Sequence, residues 1–549
     1  MDIAGAMLFC WIYTVSAASY YVATDGSDMS PGNEALPFRT IQKAADIARA
    51  GDTVLVKPGV YAEEVALRHS GVTFQAADRN NLPKIDGENR SRRYGFYTSR
   101  EIAVSDVTVD GFEIFGQDDF GILIDEAPER YQSKNVQLLN SVIHHVRYRG
   151  IQMSGQGHRA EGNIIYMIGN SGESSGIQFN RVKDGEILDN QIYLVRKQCI
   201  RVRLSENVLV QDNVLTSAGN SGLAWNSVLG NNRAYNNYIY NIFVRALEAK
   251  HSNENGSVER NRFWHNTVYN TYGYAADAWR NDPPADYYDI RNNIFSATAH
   301  GHIRNVPPGL TEPHLYIDGN LYHRKDDRPR YVYGDQWMGG NAETLAEMQS
   351  QTSFGDNGKE FDPQLIDPDY GQLDYPDTSP AAQGSLDLPS PFGRQLGARG
   401  LTPKIPTFHP IRLTAVSASS NFSEAHYTTD WKGEPLTGVW HGDSGKDQWI
   451  TYDLGSMRTF QYILVKPGGH EQPYNIKRHS FDVSDDNVDY RTIHTVTSDD
   501  DKGSTFIFEL YDPVEARYMR YHMLESFGAD EIRLVEVWVG NLVKQPATR

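Results

Sequence analysis

Pairs of residues separated by one position carry most of the reactive side chains in this chain. They are Gln178/Asn180, Arg201/Arg203, Ala224/Asn226, Glu248/Lys250 and Asp277/Trp279, with His251 and Arg280 directly after the last two pairs. Guanidinium groups can neutralise an acidic substituent, and a lysine amine can take a proton from a carbon beside it. A carboxylate pair about 5 Å apart can cleave a glycosidic bond with retention. An exposed Trp can stack on a sugar ring. Two chemistries follow. In the first, β-elimination on a uronate-containing acidic glycan, Arg or Ca²⁺ neutralises the uronate carboxylate and Lys250, with Arg203 and Arg280 beside it to favour its neutral form, removes the neighbouring proton. In the second, a glycoside hydrolase, Glu248 and Asp277 form the catalytic pair. A third reading is a glycan-binding surface protein without catalysis. Gln178, Asn180, Asn226, Trp279 and His251 are candidate substrate contacts in each case. His144, His145, His158 and Glu173 are expected on turns beside the stripe, as general acids or as hydrogen-bonded turn residues.

The elements that position these pairs are legible from a repeat. Asn140, Asn163, Asn190, Asn213, Asn237, Asn266 and Asn293 each precede a short apolar or aromatic run, at spacings of 23, 27, 23, 24, 29 and 27 residues. Each run is followed by a second one, as in Gly150-Ile-Gln-Met, Gly176-Ile-Gln-Phe, Cys199-Ile-Arg-Val and Gly222-Leu-Ala-Trp. Short alternating strands at this period, broken by Asn, Gly and Ser, predict one coil of a parallel β-helix per repeat. Alternation sends Ile151, Met153, Ile177, Phe179, Ile200, Val202, Leu223 and Trp225 inward, and the reactive pairs outward. Asn at the turns tolerates left-handed backbone and can stack as a ladder.

The segment ahead of the repeats reads as a cap: a strand from Tyr20, a helix near Thr40 to Ala48, and a first coil from Gly51 to Tyr61. It resembles the N-terminal signature of secreted right-handed parallel β-helix proteins of the pectate-lyase-like superfamily. Phe361-Asp-Pro-Gln-Leu-Ile-Asp-Pro and Leu396-Gly-Ala-Arg-Gly resemble the end of that domain. The resemblance implies a carbohydrate-active enzyme. Glu248-Ala-Lys250, with Arg280 one coil later, is similar to the Lys/Arg pair of the alginate and dermatan lyases. In that family an Asn and acidic residues hold Ca²⁺, a role that falls here on Asn226 and Glu248. Ala246 stands where the family has a further Glu, and the Asp-rich calcium cluster of pectate lyases is missing.

After a Pro-rich stretch, antiparallel patterns such as Gln448-Trp-Ile-Thr-Tyr-Asp-Leu and Leu534-Val-Glu-Val-Trp-Val resemble the discoidin (coagulation factor type C) sandwich. That fold is shared with carbohydrate-binding module family thirty-two. The resemblance implies a structural Ca²⁺ on Asp430, Thr437 and Glu536, hard oxygen donors that suit this ion. It implies sugar contacts at His470, Tyr474 and Arg478. The fold class expected is all-β: a right-handed parallel β-helix followed by an antiparallel β-sandwich (discoidin-like jelly roll). The expected boundaries are a signal peptide at 1–18, the β-helix at 19–400, a linker at 401–411, the sandwich at 412–541 and a tail at 542–549.

Composition bounds the partners. With 52 Lys+Arg against 70 Asp+Glu the net charge is -18, the wrong sign for a phosphate-binding surface. Met7 to Val15 is apolar and is followed by Ser16-Ala-Ala-Ser, as in a secretory leader, and is too short to span a bilayer. Cys10 lies in that leader, so Cys199 would stand alone, at a core position of its repeat. A secreted monomer acting on polysaccharide is expected, with no nucleic acid and no membrane span.

Overall fold

Alternation of inward apolar and outward polar residues closes the N-terminal two thirds of the chain into a solenoid. The computed structural model describes residues 17–125, 132–169, 173–250, 260–279, 288–298, 301–306, 315–324, 331–333, 341–352, 354–431, 438–468, 474–498 and 505–544. Three sheets of twelve strands each run along the solenoid, almost wholly parallel. We call them sheets I, II and III in the order in which each coil visits them. One coil comprises Leu209–Gln211 in sheet I, Val214–Ala218 in sheet II and Ser221–Asn226 in sheet III. The inward residues Ile151, Met153, Ile177, Phe179, Ile200, Val202, Leu223 and Trp225 share one buried core.

Two internal columns fix the coil register. At the corner between sheets I and II, Asn163, Asn190, Asn213, Asn237, Asn266, Asn293 and Asn320 stack fully buried. Each of the first six donates its backbone N–H and its Nδ2 to Oδ1 of the next Asn at 2.8–3.1 Å. Buried polar groups are thereby satisfied coil by coil. Asn140 does not join this stack: it is exposed with φ 46°, and the N–H of Ser141 donates to Asn163 Oδ1 at 3.0 Å instead. Small residues form the second column, where sheet III begins: Gly121, Gly150, Gly176, Cys199, Gly222, Ala246 and Ala275. A Cβ on Gly176 would lie 2.6 Å from Ile192 Cγ2, which leaves little room for anything larger. Cys199 is fully buried in this column, and burial pushes its thiol pKa up.

The helix Ile41–Ile47, N-capped by Thr40, covers the first coils with Ile41, Ala44 and Ala45. Near the other end, Leu345–Gln351 starts at a capping box of Thr344 and Glu347 and buries Leu345 and Met348.

The C-terminal domain is antiparallel, built on the long strands Lys446–Pro467, Phe506–Ser526 and Ile532–Val543 around Trp440, Tyr452, Phe481 and Tyr521. Its boundaries differ from the sequence expectation. Thr407–Ile411, expected in the linker, is a strand paired from Thr407↔Val543 to Ile411↔Val539. Backbone hydrogen bonding therefore also draws residues 542 and 543, expected in the tail, into the sandwich. The remaining linker is pinned to the solenoid: Lys404 N–H donates to Gln191 Oε1 at 2.6 Å, and Ile405 is buried.

The sandwich lies on the outer face of sheet II. Phe115, His144, Tyr166 and Tyr193 stack there with centroids 5.2, 4.8 and 4.9 Å apart. Tyr193, Tyr240 and Tyr269 of the solenoid form one buried cluster with Tyr462, Leu464, Ile507 and Trp538 of the sandwich. No helix among the described residues is long and apolar enough to cross a membrane.

Candidate functional site

Sheet III brings the reactive pairs into register. Leu123, Gln152, Gln178, Arg201, Ala224, Glu248, Asp277 and Arg304 occupy one outward column of successive coils. Asn180, Arg203, Asn226, Lys250 and Trp279 occupy the next outward column. Successive strands lie about 4.8 Å apart, so neighbouring side chains touch. The side chain of Trp279 and residues His251 and Arg280 lie outside the described residues.

The two carboxylates sit beneath the cations. Glu248 and Asp277 are 1% and 0% exposed. Lys250 Nζ lies 2.7 Å from Glu248 Oε1, and Ser221 Oγ donates to Glu248 Oε2 at 2.5 Å. Arg245 Nη1 lies 2.9 Å from Asp277 Oδ2 and 3.8 Å from Glu248 Oε1. Burial alone would raise the Glu248 pKa. The charges of Arg245 and Lys250, with hydrogen bonds from Lys250 and Ser221, outweigh it and hold the group down to about 2. Lys250 is 41% exposed, so its ammonium forms the outer surface above a buried charge layer.

A second group of charges adjoins the first. Arg201 Nε donates to Asn226 Oδ1 at 2.6 Å, and its Nη1 reaches Glu173 Oε2 at 2.9 Å. Lys197 Nζ pairs with the other oxygen of Glu173. Burial opposes ionisation of Glu173, but Lys197, Arg201 and Lys250 lower its pKa overall. Arg203 Nη1 donates to Asn180 Oδ1 at 3.1 Å. Toward the N-terminal coils, Arg149 Nη1 donates to Gln152 Oε1 at 2.6 Å, and Gln178 Nε2 donates to the same oxygen at 3.3 Å. The Arg149 guanidinium lies 4.0 Å over the Tyr148 ring, and burial brings its pKa down to about 10.

The expected partnership of Asn226 and Glu248 around Ca²⁺ does not fit this geometry. The Asn226 oxygen already accepts from Arg201, and the Glu248 oxygens face Lys250 and Ser221. Among the described residues no cluster of three or more His, Cys, Asp or Glu could hold a metal. His144 and His145 are not beside the stripe. They lie at the end of the sheet II strand Val142–His144, where His145 Nε2 meets Glu509 Oε2 of the sandwich at 2.9 Å, and burial lowers the His144 pKa to about 4. His158 is fully buried between Ser154 O at 2.9 Å and Val136 N–H at 3.2 Å, so it is a packing residue. Glu173 alone of these four reaches the stripe.

Sequence reasoning passed over Arg149, Lys197, Ser221 and Arg245. Arg149, Ser221 and Arg245 share the register column immediately before the small residues, and Lys197 sits on the preceding turn. That column was the available signal.

In the sandwich, Glu536 is fully buried, and its Oε1 accepts from the Trp431 N–H at 3.2 Å, next to Asp430. Thr437 and His470 lie outside the described residues. Tyr474 carries the Arg533 guanidinium 3.8 Å above its ring, and Arg478 lies 3.8 Å from Glu525.

Comparison with known proteins agrees with this architecture. Residues 175–304 match the family described as right handed beta helix region, and residues 412–536 match the F5/8 type C domain. Residues 24–69 match a protein family of unknown function, DUF1565. Uncharacterized protein YwoF of Bacillus subtilis is 29% identical over 109 residues, 18% of this chain and 23% of that protein. The chain thus spans under a quarter of the length of that curated relative. Among solved structures, a rhamnogalacturonan lyase is 13% identical with a TM-score of 0.43, covering 66% of this chain and 94% of that one. Pectate lyase Pel9A is 16% identical with a TM-score of 0.40, covering 55% and 79%. CpGH89CBM32-5 of Clostridium perfringens, solved with GalNAc-β-1,3-galactose, is 22% identical with a TM-score of 0.21, covering 24% and 99%. Sheet order, register and family matches together describe a right-handed parallel β-helix joined to a C-terminal F5/8 type C domain.

Proposed function

We propose that the outer face of sheet III binds an acidic glycan and cleaves it by β-elimination, with Lys250 as the base. The observation that carries this reading is the layering of charge: exposed Lys250 over buried Glu248 and Asp277, each ion-paired to a cation. Arg201 and Arg203 would offset the uronate carboxylate, which makes the adjacent C5 proton removable. Lys250 first gives up one ammonium proton to solvent; the resulting amine takes the C5 proton, the released electron pair forms a C4–C5 double bond, and the C4–oxygen bond breaks to free the next sugar. Glu248 and Arg245 act through Lys250 and Asp277, by fixing their direction.

The same layering weighs against hydrolysis by Glu248 and Asp277. A carboxyl held down to about 2 has no proton to donate near neutral pH, and both groups are shielded from solvent. The test is a screen of pectate, alginate and glycosaminoglycans, reading ultraviolet absorbance of the unsaturated product beside reducing ends. Lys250→Ala should lower elimination by about 100-fold or more. Reducing ends without absorbance would favour hydrolysis, and binding without either product would favour a glycan-binding surface protein.

For the C-terminal domain the reading is glycan binding, with Tyr474 and Arg478 as sugar contacts and a Ca²⁺ held by Asp430 and Glu536. Buried Glu536 beside the Asp430 turn supplies hard oxygen donors of the kind Ca²⁺ prefers. Removal of Ca²⁺ with a chelator should lower the melting temperature, and restored Ca²⁺ should recover it. An unchanged melting curve would remove the ion from the account.

A further inference from the structure

The two domains meet at a place with consequences for the site. Sheet III strands begin at the turns Arg196–Lys197 and Gly219–Asn220, and the sandwich packs on both. Thr505 Oγ1 donates to Gly219 O at 2.9 Å, and the buried Arg196 guanidinium lies 4.5 Å over the Phe506 ring. The fit is tight: a Cβ on Gly219 would lie 2.2 Å from Arg196 O and 2.6 Å from Thr505 Cβ. The two turns are also joined to each other, since Lys197 O accepts from Asn220 N–H and Ser221 N–H, both at 2.9 Å.

From these turns the contacts run straight into the charged face. Lys197 Nζ holds Glu173, which holds Arg201. Ser221 Oγ holds Glu248, which holds Lys250. We infer that the C-terminal domain is a positioning element of the candidate site: Thr505 and Phe506 fix the two turns that aim Lys197 and Ser221, and through them Arg201 and Lys250. The domain therefore acts on cleavage itself, beyond any glycan it binds. This inference rests on the functional reading above for its kinetic consequence, and on contacts alone for its structural one.

Full-length wild type is compared with Phe506→Ala, Phe506→Tyr and Thr505→Val by hydrogen–deuterium exchange over residues 196–203 and 219–226. Turnover of a soluble uronate trisaccharide is measured in parallel. Phe506→Ala should speed exchange in both segments and leave residues 53–56 unchanged. It should lower kcat about 10-fold with KM little changed, as small misplacements of reacting groups do. Phe506→Tyr keeps the aromatic face and should restore both readouts. Thr505→Val should act in the same direction more weakly, and it carries the test if Phe506→Ala fails to fold. Unchanged exchange and kcat, with loss only in binding to long polymer, would overturn the inference. If wild type eliminates no uronate glycan while the exchange pattern appears, the functional reading falls and the positioning role stands.

Discussion

Glu248 shows how a buried acid can be structural and still serve chemistry. Its pKa, about 2 in the folded chain, lies below the ordinary 4.5, so the ionised group stabilises the fold fully above pH 4.5. That contribution, about 3 kcal/mol, is lost as pH falls from 4.5 toward 2. Glu248→Gln keeps the shape and leaves Arg245 and Lys250 short of a countercharge, at a cost of about 3 kcal/mol near neutral pH. The gap in melting temperature between wild type and Glu248→Gln should therefore close between pH 4.5 and 2. A gap of constant size across that range would mean that the carboxyl is not their charge partner. The outward pairs were readable in the sequence because a strand alternates with period two, which assigns Arg201, Glu248 and Asp277 to one face. Arg245 and Arg149 leave only their shared place before the small residues as a signal, since the first residue of a strand follows a corner and alternation does not yet fix its direction. Glu173 and Lys197 lie on turns, where only tertiary contact decides what they reach.

At the scale of elements, the corner between sheets I and II is where coil register is decided. Asn237 donates through Nδ2 to Val210 O, Tyr235 O and Asn266 Oδ1 at 2.8–3.0 Å, and accepts from the N–H and Nδ2 of Asn213 at 3.0 and 2.9 Å. Asn237→Ala strands several buried groups without partners and should destabilise the solenoid by about 4 kcal/mol. Asn140→Gly, outside the stack and compatible with its positive φ, should cost less than about 1 kcal/mol. Urea unfolding checks the pair: the midpoint should drop sharply for the first and barely for the second. Similar losses for both would mean that turn conformation, and not the ladder, carries the effect. Repeat spacing was enough to anticipate stacked Asn residues. It placed the stack one coil too early, because in the coil of Asn140 the left-handed turn residue is itself an Asn and Ser141 fills the ladder position.

For the whole molecule, the linker expected at 401–411 lies inside one docked unit. Proline content marks a linker in the sequence, but it says nothing about what the segment packs on. The contrary signal was on sheet II, where Tyr193, Tyr240 and Tyr269 occupy outward positions that a free solenoid face would give to polar residues. The sandwich covers them, with Trp538 centred 4.4 Å from Phe243 and 5.8 Å from Tyr272. Burial of this shared cluster makes separate unfolding of either domain costly, because each would expose the apolar face it covers. Heating the intact chain should accordingly give a single calorimetric transition, with matching calorimetric and van't Hoff enthalpies. Trp538→Ala removes the central ring of the cluster, at a cost of about 3 to 5 kcal/mol. The transition should then split, the sandwich melting first and the solenoid following near its own midpoint. Two transitions already present in wild type, with the solenoid midpoint unmoved by Trp538→Ala, would show that the interface carries no cooperative energy. In that event the turns at Arg196 and Gly219 would have to be held by the solenoid alone.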